Sequence, residues 1–515
     1  MHQLKKAALI VAAGLAFSQS GFAADKTVWI TLGDTAFRQL QQAIPAVRSV
    51  QNSQQSVAGF KAAAHHSEAV HVVQLSETQL LKLSGIVHQK LNRCGGFIQH
   101  SSKEEAVTAL YAQPKTLAPL ARPSYTIDNQ TIVSPMVAQM QATNIAQTII
   151  DLSNFTNRYY KTTAGTNASN WLLNKWKTMS SARSDILVEQ FTHSSYPQKS
   201  VILTINGTDN AAETVVLGAH LDSINLNGTT ETTLAPGADD DASGIASLTE
   251  ILRTMLANNY KPRRTIKLIG YAAEEVGLLG SKDIAASFKA KNANVVGVMQ
   301  LDMTNYKGSP LDIYLYTDYT DSAQNQFVAN LITTYQPTLK IGYDKCGYGC
   351  SDHASWYNQG YPASMPFETA FTQDNPNIHT ANDTFQNAGG NADHSLKFAR
   401  LGLSFAVELA SDGPAAGDKV ENFSGSLTKG QSKSFGPFKL KAGGTLTAST
   451  TGTGDMDLYV RKVSVPTTTT YDCKSDGSSS TENCTVNSTT NTDVYVLVSG
   501  YAAGNYALKV SYPAQ

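Results

Sequence analysis

A chain of 515 residues has room for about two to four domains, and 41% hydrophobic against 16% charged residues marks a globular protein with an ample core. A net charge of −1 at pH 7 lacks the basic excess of a nucleic-acid binder and offers no electrostatic pull towards a membrane surface.

At the N-terminus, Lys5 and Lys6 precede an apolar stretch from Ala7 to Phe17 that is too short to span a bilayer. Gly21-Phe22-Ala23, followed by Ala24, has the small residues of a cleavage site. Residues 1–23 are therefore expected to be a signal peptide and the product to be secreted, and no later segment is long and apolar enough to cross a membrane. Residues 24–125 are weak in strand pattern and run into LAPLARPSYTIDNQ. They read as a propeptide cut between Pro119 and Ser124, with an ordinary N-terminal domain as the alternative.

Residues 126–412 read as one α/β unit with a mixed, mostly parallel sheet sandwiched by helices. Helical spacing runs over Val133–Asn154 and Ala168–Met179, and strands follow at Lys199–Ile205 and Thr214–Ala219. A helix after Asp241 turns Ile245, Leu248, Ile251, Leu252 and Met255 inward and stops at Asn258 and Asn259. A last helix covers Ala392–Ala410. SDGPAAGD has linker composition, placing a linker at 413–419. Beyond it Ser, Thr and Gly dominate and DMDLYV and DVYVLVSG alternate, so 420–515 reads as a small all-β sandwich.

Five cysteines in an exported chain invite pairing. Cys473 and Cys484 flank a Ser-rich loop, and Cys346 and Cys350 form a CxxxC. The CxxxC could hold metal, but without a second Cys or His pair nearby a disulfide is the better reading. Cys94 is left over.

The chemistry sits where apolar runs stop. TVVLGAH, TIKLIGYAAEE and VVGVMQLD are Val- and Ile-rich without polar alternation, as in interior parallel strands, and each ends on His or a carboxylate. Ligands of open α/β sheets bind at the carboxyl ends of strands, so these residues are expected to converge. His220 can offer an imidazole nitrogen to metal, and Asp222, two residues on, can accept the other ring N–H. In ADDDAS three consecutive carboxylates repel one another unless cations neutralise them, and one could bridge two metals. Of Glu274 and Glu275, one can ligate metal while the other takes a proton. Asp302 ends the third run, and His379 lies in the turn-rich NPNIHTANDT. Two His and three carboxylates suit two zinc ions.

Together HLDS, GADDDASG, YAAEEVG, LDMTNYKG, CGYGCSDHASW, MPFE and IHT resemble the secreted bacterial leucyl aminopeptidases, dizinc exopeptidases of peptidase family M28, in order over nearly all of residues 130–410. The tail resembles the prepeptidase C-terminal domain of secreted bacterial proteases. The resemblance implies the zinc-exopeptidase, phosphorylase/hydrolase-like fold and a monomer acting on peptide or protein N-termini. It implies that Asp240 bridges both zincs, that His220 and Asp302 complete one and Glu275 and His379 the other. Glu274 would be the general base and Asp222 would orient His220, with a cis peptide between Asp240 and Asp241. Met303, Met365, Phe367, Phe371 and Ile378 match apolar pocket positions, the pair Cys346 and Cys350 would form one wall, and Tyr348 would hydrogen-bond the oxyanion. Tyr316 and Asp374 depart from the pattern and would narrow or polarise the rim.

The expected activity is removal of large apolar N-terminal residues such as Leu. A dizinc carboxypeptidase or deacylase of the same fold is the alternative, and it would need an Arg beside the ligands. A hydrolase built on Cys350 or Ser351 with His353 lacks a nucleophile elbow.

Overall fold

The structure, a computed structural model, describes residues 27–54, 69–91, 96–111, 123, 125–412 and 418–514. The signal peptide, Cys94 and most of the expected cutting stretch and linker lie outside the described residues.

The N-terminal part is a folded unit. It runs β1 (Thr27–Gly33), α1 (Asp34–Ala43), β2 (Gln51–Gln54), β3 (Ala69–Ser76), α2 (Glu77–Leu91), β4 (Phe97–His100) and α3 (Lys103–Tyr111). Its antiparallel sheet has the order β2-β3-β1-β4. Ile30, Leu32, Leu40, Val73, Leu75, Leu83 and Val87 build a core of its own. Four strands form where the sequence pattern is weak: β2 and β4 have only four residues each, too short to show a period of two, and the longer strands are β1 and β3.

The central unit opens with helices α4 (Gln130–Ala138), α5 (Ala142–Ser153) and α6 (Thr163–Met179). The single helix expected over Val133–Asn154 is two, because the chain turns at Gln141 to give its amide to the buried Glu250 carboxylate (2.8 Å). Then follow β5 (Ile186–Phe191), β6 (Ser200–Ile205), β7 (Asn210–His220), α7 (Ala242–Ala257), β8 (Arg264–Tyr271), α8 (Leu279–Ala290) and β9 (Asn294–Gln300). The unit closes with β10 (Ile313–Tyr316), α9 (Ser322–Tyr335), β11 (Ile341–Asp344), α10 (His353–Asn358), β12 (Ala363–Phe367) and α11 (Asp393–Ser411).

Eight strands form one mixed sheet, β11-β10-β12-β9-β7-β8-β6-β5. Its middle, β12-β9-β7-β8, is parallel, and β6 and β5 add antiparallel strands at one side. Successive side chains of a strand face opposite ways. On β7, Val215, Leu217 and Ala219 enter a core shared with Ile245, Leu248 and Leu252 of α7 and with Phe398 and Phe405 of α11. Val216 instead joins Ile269, Val298, Ile284 of α8 and Trp356 of α10. Both faces are covered, which is why β7 reads as an unbroken apolar run.

The C-terminal part holds β13 (Asp418–Leu427), β14 (Ser432–Leu440), β15 (Thr445–Gly452), β16 (Asp455–Lys462), β17 (Cys473–Ser475), β18 (Glu482–Asn487), β19 (Thr492–Ala502) and β20 (Gly504–Pro513). Two four-stranded sheets, β13-β20-β15-β18 and β14-β19-β16-β17, enclose Leu446, Leu458, Val460, Val496 and Leu508. The Cys473–Cys484 disulfide ties β17 of one sheet to β18 of the other. Among the described residues no helix is long and apolar enough to cross a membrane.

Candidate functional site

The register of three parallel strands places the first residues. His220 is the last residue of β7 and pairs with Tyr271 of β8, while Gly218 pairs with Gln300 of β9. Glu274 and Glu275 follow β8 by three and four residues, and Asp302 follows β9 by two. All lie at the carboxyl edge of the sheet, where chain departures leave side chains free to face a crevice.

The Asp triplet divides its labour. Asp241 caps α7 by accepting from the Gly244 amide (2.8 Å), and it also accepts from the amides of His220 (3.0 Å) and Met303 (3.1 Å). One carboxylate thus pins three chain segments to each other. Gly244 is required there, since a Cβ would fall 2.1 Å from the Leu301 carbonyl oxygen. Asp239 accepts from the amides of Asn305 (3.0 Å) and Tyr306 (3.2 Å) and from Asn375 Nδ2 (3.0 Å). Asp383 accepts from the amides of Asp239 and Asp240, both at 3.1 Å. The peptide bond between Asp240 and Asp241 is cis.

Asp240, held between them, faces both histidines. Its Oδ1 lies 2.8 Å from His220 Nε2 and its Oδ2 lies 2.9 Å from His379 Nε2. His220 Nε2 is also 3.5 Å from Asp302 Oδ1, and His379 Nε2 is 2.9 Å from Glu275 Oε2. Two three-residue sets result, His220–Asp240–Asp302 and Asp240–Glu275–His379, with candidate ligand atoms within 4.8 Å of one another in each.

The donor chemistry fits metal. Imidazole nitrogen and carboxylate oxygen are zinc ligands, and all five residues are buried. His379 Nε2, despite two carboxylate oxygens at 2.9 Å, makes no aligned hydrogen bond, and Asp302 Oδ1 and Glu275 Oε1 are likewise buried without one. Buried polar atoms left without a partner call for one, and a shared cation would satisfy them. Burial opposes charge on the two imidazoles, yet Asp302, Asp222 and Asp240 raise His220, and Glu275 and Asp240 raise His379, well above the ordinary range. Burial also pushes Glu275 up to about 7 and Glu274 well above the usual carboxylate range.

Asp222 does more than was expected of it. His220 Nδ1–H donates to the Asp222 main-chain oxygen at 3.1 Å, and the carboxylate is farther, at 3.5 Å. The Asp222 carboxylate instead accepts from the amides of Glu274 (2.9 Å) and Glu275 (3.2 Å). It therefore aims the glutamate pair as well as the histidine. Glu274 keeps both carboxylate oxygens buried and without a hydrogen-bond partner. Ser351 donates to Asp302 Oδ2 (2.5 Å), fixing that ligand from behind.

Beside Asp302 opens a small, narrow pocket lined by Tyr316, Cys346, Tyr348, Cys350, Met365, Phe367, Phe371 and Asp374. Cys346 and Cys350 are disulfide-bonded. Met303 and Ile378, expected in the lining, are fully buried in the apolar cluster behind it. Tyr316 and Asp374 stand in the wall itself. The Cys350/Ser351 alternative has no base: Cys350 is tied up, Ser351 serves Asp302, and His353 is buried facing the Asp318 carbonyl (3.3 Å).

Two residues escaped sequence reasoning. Arg158, fully buried, donates to the main-chain oxygens of Leu221 (2.8 Å), Gly237 (2.8 Å) and Pro236, and so clamps the segment after His220 to the one before the triplet. A lone Arg outside any motif carried no signal. His88, on α2 of the N-terminal unit, sets its ring 5.3 Å from that of His379, with a buried Nδ1 that has no hydrogen-bond partner. Burial and the neighbouring His379 push it down to about 4.

Residues 200–402 match the family model of Peptidase family M28, and residues 437–511 match that of the bacterial pre-peptidase C-terminal domain. Leucine aminopeptidase 1 of Coccidioides posadasii is 36% identical over 298 residues, covering 55% of this chain and 75% of that protein. Leucine aminopeptidase 1 of Aspergillus niger is 38% identical over 294 residues, covering 54% and 73%. Among solved structures, the LapA aminopeptidase of Legionella pneumophila is 29% identical with a TM-score of 0.62, covering 76% of this chain and all of that one. LapB of the same organism gives 29% and 0.61.

Because Asp240 belongs to both ligand sets, Asp240→Asn should cost both metals, whereas Asp302→Asn should cost one. Elemental analysis after dialysis is expected to show near-complete loss in the first and about half in the second, each variant losing roughly tenfold or more in affinity at the affected set. Equal loss in both would break the shared-ligand arrangement.

Proposed function

The chain belongs to peptidase family M28 and is a metallo-aminopeptidase, and on that premise we propose a secreted enzyme that uses two zinc ions and a glutamate base to remove large apolar N-terminal residues. The observation that carries this reading is the sharing of Asp240 between two ligand sets. The leucine aminopeptidases among its relatives support the residue preference, as do the Met and Phe side chains of the pocket.

Zinc bound by these residues would supply Lewis acidity, lowering the pKa of water to about 7 and polarising the scissile carbonyl. Glu274, with no hydrogen bond to break, would take the proton of the attacking water and return it to the leaving amine nitrogen. Tyr348, in the pocket wall, would donate to the oxygen that gains charge. The carboxylates of the centre would pair with a free α-amine. The carboxypeptidase alternative is disfavoured because no Arg among the described residues lines the pocket and Arg158 is spent on the main-chain oxygens of Leu221 and Gly237.

The N-terminal unit fits the part of a propeptide. Helix α2 passes over the centre with His88 against His379, and its Leu81 packs with Tyr159, Tyr160, Ile224, Ala273 and Val276 of the central unit. A substrate amine reaching for His379 and Glu275 meets that helix first.

Leu-p-nitroanilide should be hydrolysed by the mature protein and its N-acetyl form should not; comparable rates on both would refute the exopeptidase reading. Glu274→Ala should lower kcat by about 10²–10⁴ while both zincs stay bound, and near-full turnover would remove Glu274 from the reaction. The intact precursor should be about tenfold or more slower than the protein freed of residues 24–125, with His88→Ala recovering part of the difference. Equal rates before and after removal would count against a covering role.

A further inference from the structure

The pocket wall holds a carboxylate that neither the ligand sets nor the proposed proton transfer uses. Asp374 lines the same space as Tyr316, Met365, Phe367 and Phe371. Among the described residues no lysine or arginine lines that space or forms an ion pair with Asp374. The charges that bear on it are those of His379 and Asp240 across the crevice, and its own charge is felt by the Tyr316 hydroxyl. That hydroxyl is turned to the Thr369 carbonyl oxygen at 3.4 Å. Burial pushes the Asp374 carboxyl up to about 6, which leaves it mostly ionised at neutral pH.

A carboxylate with no lysine or arginine beside it is costly to desolvate, and the cost grows when a wholly apolar side chain fills the pocket and expels water. A side chain with an apolar stem and a cationic tip removes that cost: its methylenes lie along the Met and Phe walls and its tip meets the carboxylate. We propose that Asp374 is a specificity-determining residue that admits N-terminal lysine and arginine to the pocket alongside the apolar residues. The inference rests on the aminopeptidase reading and names a further substrate class for the same pocket.

The α-amine could in principle be the partner of Asp374, and the two roles separate cleanly. A contact to the α-amine serves every substrate equally; a contact to the side-chain tip serves only the basic ones. The test is kcat/KM of the mature enzyme on Leu-, Lys- and Arg-p-nitroanilide, for the native protein, Asp374→Asn and Asp374→Glu. Native enzyme should cleave all three. Asp374→Asn should lower the Lys:Leu and Arg:Leu ratios by about tenfold or more, chiefly through KM, as expected when a charge-assisted contact is lost. Asp374→Glu, which keeps the charge, should retain most of the native ratios. Ratios unmoved by Asp374→Asn, or a native enzyme that cleaves Leu and leaves Lys and Arg untouched, would overturn the proposal. A native enzyme inactive on all three would instead sink the aminopeptidase reading beneath it.

Discussion

The structure depends on one electrostatic constraint: more buried negative charge surrounds Asp240 than its own side chains can neutralise. Asp222, Asp239, Asp240, Asp241, Glu274, Glu275, Asp302, Asp352, Glu368 and Asp383 are all at most 4% exposed. Two like charges about 4 Å apart repel by about 4 kcal/mol at an effective dielectric of 20. Against them stand His220, His379 and Arg158, together with main-chain amides at Asp222, Asp239, Asp241 and Asp383. The deficit shows in where protons are held. Burial lifts Asp239 and Asp352 to about 7 and Asp383 to about 8, and the two site imidazoles are driven towards their charged forms. The cluster gathers positive charge to itself, and metal held by His220, Asp240, Glu275, Asp302 and His379 would supply it.

The fold turns that constraint into a site. Parallel strands all point their carboxyl ends one way, so residues 82 apart in sequence, from His220 to Asp302, reach the same edge. Amide-to-carboxylate bonds then lock the loops. Asp241 ties α7 to the ends of β7 and β9, Asp222 ties the end of β7 to the segment after β8, and Asp383 ties the loop carrying His379 to the triplet. Each lock is a carboxylate that neutralises no metal. The acidic excess is therefore partly scaffold, and the ligands are held by neighbours of their own kind.

Much of this could be read from the sequence because the signals are local. His220, Glu275 and Asp302 end or follow apolar runs, and Asp240 stands inside an acidic triplet at a helix start, so strand pattern and residue type point together. Which Asp of the triplet faces inward depends on three-dimensional hydrogen bonding and came only with the family resemblance. The Asp222 carboxylate was expected beside the His220 ring and stands 3.5 Å from its Nδ1, but its bonds to the glutamate amides were not foreseen, since backbone donors cannot be read from side-chain spacing. The N-terminal unit was the least legible part: strands of four residues show no period, and its fold is visible only through pairings of β1 with β3 and β4. His88 became meaningful only once α2 was seen against His379, a contact spanning 291 positions in sequence.

The same distance explains how a cover and a centre can be coupled. The N-terminal unit meets the central unit beside the centre. It leans on the loop that carries Glu274 and Glu275: the Gln99 amide donates to the Gly277 oxygen (3.3 Å), Ile98 packs on Leu278 and Ala354, and Lys282 reaches Glu105 (2.9 Å) and the Gln99 oxygen. Gly277 sits at φ 105° and a Cβ there would fall 2.9 Å from Gln99, so a residue without a side chain is what lets the cover approach. Half-exposed ion pairs such as Lys282–Glu105 contribute at most about 1 kcal/mol each. Gly277 and Leu278 belong to the loop after β8, so the backbone whose Glu274 and Glu275 amides bind Asp222 is also backbone that the N-terminal unit touches.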